Sequence, residues 1–319
     1  MLPRCSAQRM KKRVFVTEYV GLSTRLEALA MAFLISERYG HEVCIDWHEL
    51  DALNVVGARR RGRGLVGRLD SLKLRDYSAE AFHRIATHRN VVLRTHEGPR
   101  HLLEKLYLPT AQRVKLRPDL IETIRETFDR YAGRPLVGVH LRRGDFALSS
   151  DESFDVNAAE WPAAPDWWYA HTMGAIRQAF PEVAFFIACT GSLDDYPWLK
   201  EFDAFDLPTT FPYGYKGPSH MARRHPAADL FALACCNVIV GTPCSTYSHY
   251  AADMLGAPTT VLVPPATKMA RAAPAFCRLD LYGRGAHDYY AACRTGAGLV
   301  PVEDAAGLPV GRGANIDWM

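Results

Sequence analysis

The sequence predicts an α/β fold of two domains with mostly parallel sheets, and three observations carry the prediction. Short runs rich in Val, Ile and Phe alternate with longer runs whose apolar residues recur at helical spacing. The alternation occurs at the front of the chain and again, more regularly, over residues 135–265. The 319 residues, 48% of them hydrophobic, suffice for two ordinary cores. The expected limits are 11–133 for a first domain, 134–265 for a second, and 266–319 for a Gly/Ala-rich tail packing back on the first.

In chain order, "RVFVTEY" (13–19) is β-branched and aromatic and reads as a strand. The turn "VGLST" opens into "RLEALAMAFLISERYG", where Leu26, Leu29, Ala30, Phe33 and Leu34 share a helical face and Gly40 is a stop signal. "HEVCIDW" is the next strand, which completes a βαβ unit and implies parallel pairing. Residues 51–115 hold an arginine cluster, a short strand "NVVLRT" and a helical "RHLLEKLYL". "RPDLIETIRETFDRYAG" is an amphipathic helix closed by Gly133. The second domain then reads as strand "PLVGVHL", helix "DWWYAHTMGAIRQAF", strand "EVAFFIACT" and short helix "DDYPWLKEF". Helix "PAADLFALACCN", strand "VIVGT", helix "STYSHYAADMLG" and strand "TTVLVPP" complete it. The weakly patterned tail is assigned no element.

A net charge of +3 gives no case for a nucleic-acid partner. The eight cysteines show neither a CxxC pair nor zinc-ligand spacing, so buried reduced thiols and a cytoplasmic setting are expected. No apolar run reaches the roughly 18 residues that span a bilayer. The opening "MLPRCSAQRMKKR" lacks the apolar core of a signal peptide, and Met10 is an alternative start. "ARRRGRGLVGR" (58–68) is the densest basic stretch. A solvated loop is its ordinary reading; the further expectation is that Arg59, Arg60, Arg61 and Arg63 meet the inner face of a membrane or an anionic glycolipid.

Three segments follow strands where open α/β sheets bind ligands, at the carboxyl ends: "EYVGLSTR", "HLRRGD" and "GTPCSTYS". Arg142 and Arg143 end an apolar strand, and a fork-shaped guanidinium suits phosphate oxygens. Surface ion pairing explains the same residues without a ligand. Asp145 either orients these arginines or acts on a substrate hydroxyl. Ser245 or Thr246 is a helix cap whose hydroxyl has the alternative of meeting a phosphate. Gly21 permits close backbone approach, but no GxGxxG or Walker A loop is present. Asp229 at a helix start suits the helix dipole, or else accepts N–H bonds from a base, with His140 as a second base contact. There is no DxD at a strand end, so no metal is expected.

"VGVHLRRGDF" resembles the HxRRxD element of the GDP-fucose-dependent fucosyltransferases, the superfamily of α1,2-, α1,6- and protein O-fucosyltransferases. "DLFALACCNVIVGTPCSTYSHYAADMLG" resembles its second shared block. The resemblance implies two facing Rossmann-like domains of the GT-B glycosyltransferase type, the donor in the second, inversion at the anomeric carbon and no metal. It implies that Arg142 grips the β-phosphate and that His140 and Asp229 address guanine; Arg143 is expected among the donor-binding residues, where its place on the strand suits it to support the loop. Thr242, Ser245 and Thr246 fall at the phosphate turn, and Gly21 in the front loop. Asp145 and Glu18 are the candidates for the proton acceptor. Where α1,6-type relatives carry acidic residues after the middle strand, this chain has "ACTGS". The alternatives are a transferase of another sugar nucleotide and a non-catalytic nucleotide- or glycan-binding protein. Residues 51–115 are expected to shape the acceptor site, and the aromatics of "EWPAAPDWWY" either stack on sugars or pack a helix.

Overall fold

A computed structural model describes residues 11–65, 70–94, 100–148, 151–212, 224–257, 259–281 and 288–319. The lead-in before Lys11, with the alternative start Met10, and Arg68 of the basic stretch lie outside them. The chain divides into two compact units, residues 1–50 with 55–114, and residues 51–54 with 115–319.

In the first unit, β1 (Arg13–Thr17) leads through Gly21 into α1 (Leu22–Tyr39), which ends at Gly40 in the left-handed conformation, φ 69°. The glycine stop is the expected one, because a Cβ is disfavoured there. After β2 (Glu42–Asp46) come β3 (Leu53–Val55), β4 (Ala58–Arg60) and β5 (Leu72–Leu74). Helix α2 (Ala79–Thr87) precedes β6 (Asn90–Leu93), and α3 (Arg100–Ala111) precedes β7 (Val114–Leu116). The sheet runs β4-β2-β1-β6-β5 with every pair parallel. Its central strands bury Val14, Phe15, Val16, Val91, Val92 and Leu93, which explains their continuous apolar runs. β3 and β7, most of whose residues belong to the second unit, form a separate two-stranded sheet.

The second unit opens with α4 (Pro118–Asp129) and β8 (Leu136–Leu141), followed by β9 (Ala147–Leu148), β10 (Ser153–Phe154) and β11 (Pro162–Ala163). Then come α5 (Asp166–Ala179), β12 (Ala184–Cys189), β13 (Ala204–Phe205), α6 (Pro226–Leu233) and β14 (Val238–Val240). Helix α7 (Thr246–His249) runs on as one π-helical stretch to Met254. β15 (Thr260–Val263), β16 (Met269–Ala270), β17 (Cys277–Asp280), α8 (Tyr289–Thr295) and β18 (Val300–Pro301) complete the unit. Its main sheet runs β13-β12-β8-β14-β15-β17-β18, parallel through β15 and antiparallel beyond.

The limits drawn from sequence differ from these units. Helix α4 belongs with the second, and β17 and β18 of the tail extend the second unit's own sheet. Their signal is weak because β17 alternates buried and half-buried positions and β18 is exposed, unlike the fully buried run of β8. The short helix expected at "DDYPWLKEF" is two 3₁₀ turns, Leu193–Asp195 and Pro197–Glu201, the second entered through a proline.

Strand β8 is buried along its whole length, and helix α6 packs directly on it. Gly138 makes this approach possible, since a Cβ there would lie 2.7 Å from Leu233 Cδ1 and 3.2 Å from Cys236 Sγ. Gly138→Ala is expected to cost about 1–3 kcal/mol through overpacking. A denaturant midpoint equal to the parent's would show that α6 shifts freely.

Candidate active site

The end of β8 and the turn after β14 are joined by one buried side chain. The Thr242 hydroxyl accepts the Arg142 backbone N–H at 3.1 Å and lies 2.8 Å from the His140 carbonyl oxygen. The Tyr169 hydroxyl from α5 is 3.0 Å from Thr242 Oγ1 and 2.9 Å from that same carbonyl. The Thr242 N–H donates to Ser248 Oγ at 3.0 Å, and its carbonyl accepts from Tyr289 at 2.9 Å. Thr242 is fully buried and its polar atoms are all engaged within the protein. This corrects the expectation of a phosphate contact: the hydroxyl in "GTPCS" ties two strands together.

From that anchor, Arg142 presents its guanidinium to Asp145 through two hydrogen bonds of 2.8 and 2.7 Å, and over the Phe146 ring at 5.7 Å. Arg142 is half-buried and Asp145 exposed. The two arginines part here as expected. Arg143 pairs with Asp166 of α5, donates to the Arg142 carbonyl at 3.0 Å, and lies over the Tyr169 ring. Its charge is matched by Asp166, and its bond to the Arg142 carbonyl makes it a support for Arg142.

His140 is buried, 2.8 Å from Ser248 Oγ through Nδ1 and stacked on Tyr247 at 4.7 Å. Burial, reinforced by the nearby Arg142 charge, pulls its pKa down to about 3, so the imidazole is neutral at ordinary pH. Ser245 caps α7 by accepting the Tyr247 N–H at 3.3 Å, and half-buried Thr246 begins the helix. Just before them, Cys244 takes φ 59°, a left-handed conformation that costs a non-glycine residue about 1 kcal/mol or more. Tyr247 continues the contact chain, donating to the Pro226 carbonyl at the start of α6 at 2.7 Å.

Helix α6 then supplies Asp229. The carboxylate is buried; Oδ2 meets Arg224 Nε at 3.3 Å, while Oδ1 is buried with no hydrogen-bond partner among the described residues. Burial pushes its pKa up to about 6, against the opposing pull of Arg224. Arg224 also holds Asp206 at 2.6 Å and the Cys189 carbonyl and thiol at 3.4 and 3.1 Å. Burial raises the Cys189 thiol to about 11, so it stays protonated. His225 caps α6 with Nδ1 and faces Asp51 at 3.0 Å through Nε2.

The second unit therefore brings His140, Arg142, Arg143, Asp145, Asp229, Thr242, Ser245 and Thr246 into one connected set. Gly21 belongs to the first unit. Its φ of −57° needs no glycine, and a Cβ there would meet nothing within 4 Å. The turn before it is held instead by Arg25, which donates to the Val20 carbonyl at 2.9 Å and forms a buried two-point pair with Glu49. Glu18 lies 2.9 Å from His48 Nδ1 in the same unit. Of the basic stretch, Arg59 pairs with Glu42 at 2.7 Å, and β4 forms the edge of the sheet.

Trp168 is fully buried and donates to the Ala275 carbonyl at 3.0 Å, so it packs a helix. Trp161, by contrast, continues an aromatic row from Phe146. Among the described residues, no three His, Cys, Asp or Glu side chains gather as a metal site, and no helix is long and apolar enough to cross a membrane. Sequence reasoning missed Arg224, Ser248 and Tyr169. "RRHPAAD", a basic pair just ahead of a capped helix, was the one available signal for Arg224; Tyr169 carries none.

No family model matches the chain, and no curated protein does. Solved structures do. The selenomethionine fucosyltransferase NodZ from Bradyrhizobium superposes with a TM-score of 0.51 at 16% identity, covering 85% of this chain and 99% of that one. NodZ α-1,6-fucosyltransferase co-crystallised with GDP gives 0.50 at 16% identity, covering 82% and 98%. The α/β architecture read from the sequence is thus the fold of a known fucosyltransferase, which this chain resembles over nearly that protein's whole length.

Proposed function

We propose that the chain transfers fucose from GDP-fucose to a hydroxyl of a glycan acceptor, inverting the anomeric carbon without a metal ion. The observation that carries this reading is Arg142 at the end of β8, tied through Thr242 to the Ser245 turn and, through His140 and Tyr247, to helix α6 and an Asp229 oxygen with no partner among the described residues. A cation, a hydroxyl-lined turn and a buried acceptor in series match a diphosphate with a guanine beyond it. NodZ, the fold neighbour, was crystallised with GDP.

In the reaction, the acceptor oxygen bonds to the anomeric carbon as the bond to the β-phosphate oxygen breaks. The electron pair leaves with GDP, and Arg142, already placed, stabilises the charge that develops on the leaving oxygen. Neutral His140 adds no competing charge and offers its ring edge to the nucleotide. The Asp229 oxygen accepts N–H bonds from the base. Asp145, held at two points by Arg142, orients that arginine.

Incubation with GDP-fucose and an acceptor panel, read by mass spectrometry with and without EDTA, tests this. Acceptor mass gain by one deoxyhexose that survives EDTA is expected. Stabilisation by UDP or CMP in place of GDP in a thermal-shift series would assign another sugar nucleotide. GDP binding with neither transfer nor hydrolysis of GDP-fucose would make the protein a binding module.

A further inference from the structure

We infer that Arg224 is a positioning residue that sets nucleobase specificity, by keeping Asp229 a pure hydrogen-bond acceptor that selects guanine over adenine. The inference rests on the proposed GDP site and goes one step behind it. The arginine is only 6% exposed, and three separate elements hold it. Nη1 donates to Asp206 after β13, Nη2 to the Cys189 carbonyl and thiol at the end of β12, and Nε to Asp229 Oδ2 in α6. Its donors are directed into the protein. The oxygen left over is Asp229 Oδ1, buried and without a partner among the described residues.

The cluster of one guanidinium and two carboxylates carries a net negative charge and offers acceptors. A guanine edge presents N1–H and the 2-amino group, donors that match a carboxylate. An adenine edge presents an acceptor at N1, which a carboxylate repels and a protonated carboxyl group would welcome. Whether Asp229 is ionised therefore decides which base fits. Sites built on a buried hydrogen bond reject a ligand that leaves it unmade far better than apolar pockets reject a change of shape.

Every charged group around Asp229 bears on that choice. Burial drives its carboxyl toward the neutral form and Asp206 adds to the effect, while Arg224 opposes both. Cys189 is protonated, and His225 is turned to Asp51 and the Ala227 N–H. Among the described residues, Arg224 is the cation that acts on the Asp229 carboxylate.

Isothermal titration calorimetry with GDP, IDP and ADP across the pH range tests the idea on the full chain. The parent should prefer GDP, with affinity falling only on the acid side, near the Asp229 pKa of about 6. Arg224→Met should move that acid limb upward, weaken GDP binding by about tenfold or more near neutrality, and narrow the GDP-to-ADP ratio. Asp206→Asn, at a half-buried position, should move the limb the opposite way, to lower pH. Arg224→Lys should restore much of the GDP preference. If Arg224→Met does not fold, the Asp206→Asn shift alone decides. A parent that binds GDP, with an acid limb that does not move in Asp206→Asn, overturns this inference and leaves the proposed function standing. A parent that binds none of the nucleotides overturns the proposed site itself.

Discussion

Arg142→Ala is expected to lower turnover by at least about 10²-fold, with a much smaller effect on stability. The guanidinium is the cation the β8 strand delivers to the site, and its backbone is fixed by Thr242. Its pair with Asp145 is partly solvent-exposed, so removing it should cost no more than about 1 kcal/mol of folding free energy. Arg142→Lys keeps a point charge but loses the two-point fork and should fall between. Initial-rate kinetics with GDP-fucose, alongside a denaturant titration, measure both. Turnover near the parent's would end the leaving-group assignment. The same series resolves Asp145. If it acts through Arg142, Asp145→Ala should add nothing in the Arg142→Ala background; an added loss would make Asp145 the proton acceptor.

Thr242→Val should destabilise the fold by about 2–4 kcal/mol, although the two side chains are nearly the same shape. The hydroxyl is an acceptor for the part-buried Arg142 N–H and a neighbour of the buried His140 carbonyl and Tyr169 hydroxyl. Removing it leaves buried polar groups short of partners, at about 1–3 kcal/mol for each one left unmade. Turnover should fall as well, because Arg142 loses its backbone anchor. Thr242→Ser retains the oxygen and should recover most of both. Chemical denaturation of the three proteins decides the matter, and equal midpoints for Val and Thr would refute the keystone role.

Much of the framework was legible without coordinates. "RVFVT", "EVCID", "LVGVHL" and "TVLV" are strands buried in parallel sheets, where both faces are covered and the apolar run is unbroken. Gly40 marked a helix end because only a left-handed turn calls for it there. The division between Arg142 and Arg143 was legible too, since adjacent residues leaving a strand diverge. The tail was not, because its strands pair antiparallel at the sheet margin with half-exposed residues. Nor was Thr242 placed correctly. A hydroxyl in a strand-to-helix turn looks the same whether it faces a phosphate or the interior. The difference lies in Tyr169, Ser248 and Tyr289, which converge on it from distant parts of the chain.

The sequence by itself determined the α/β class, the main alternation of strands and helices over residues 135–265 and the residue types of the proposed anion site: arginine after a strand, serine at a helix cap, aspartate at a helix start. These follow from local periodicity, capping and charge, which act over a few neighbouring residues. Only the tertiary structure decided which atoms remain for a ligand. Arg143 is matched by Asp166 and the Thr242 hydroxyl is enclosed, while Arg224 takes one Asp229 oxygen and the other has no partner among the described residues. Hydrogen-bond capacity is a sum over all neighbours in space, and those neighbours are far apart along the chain.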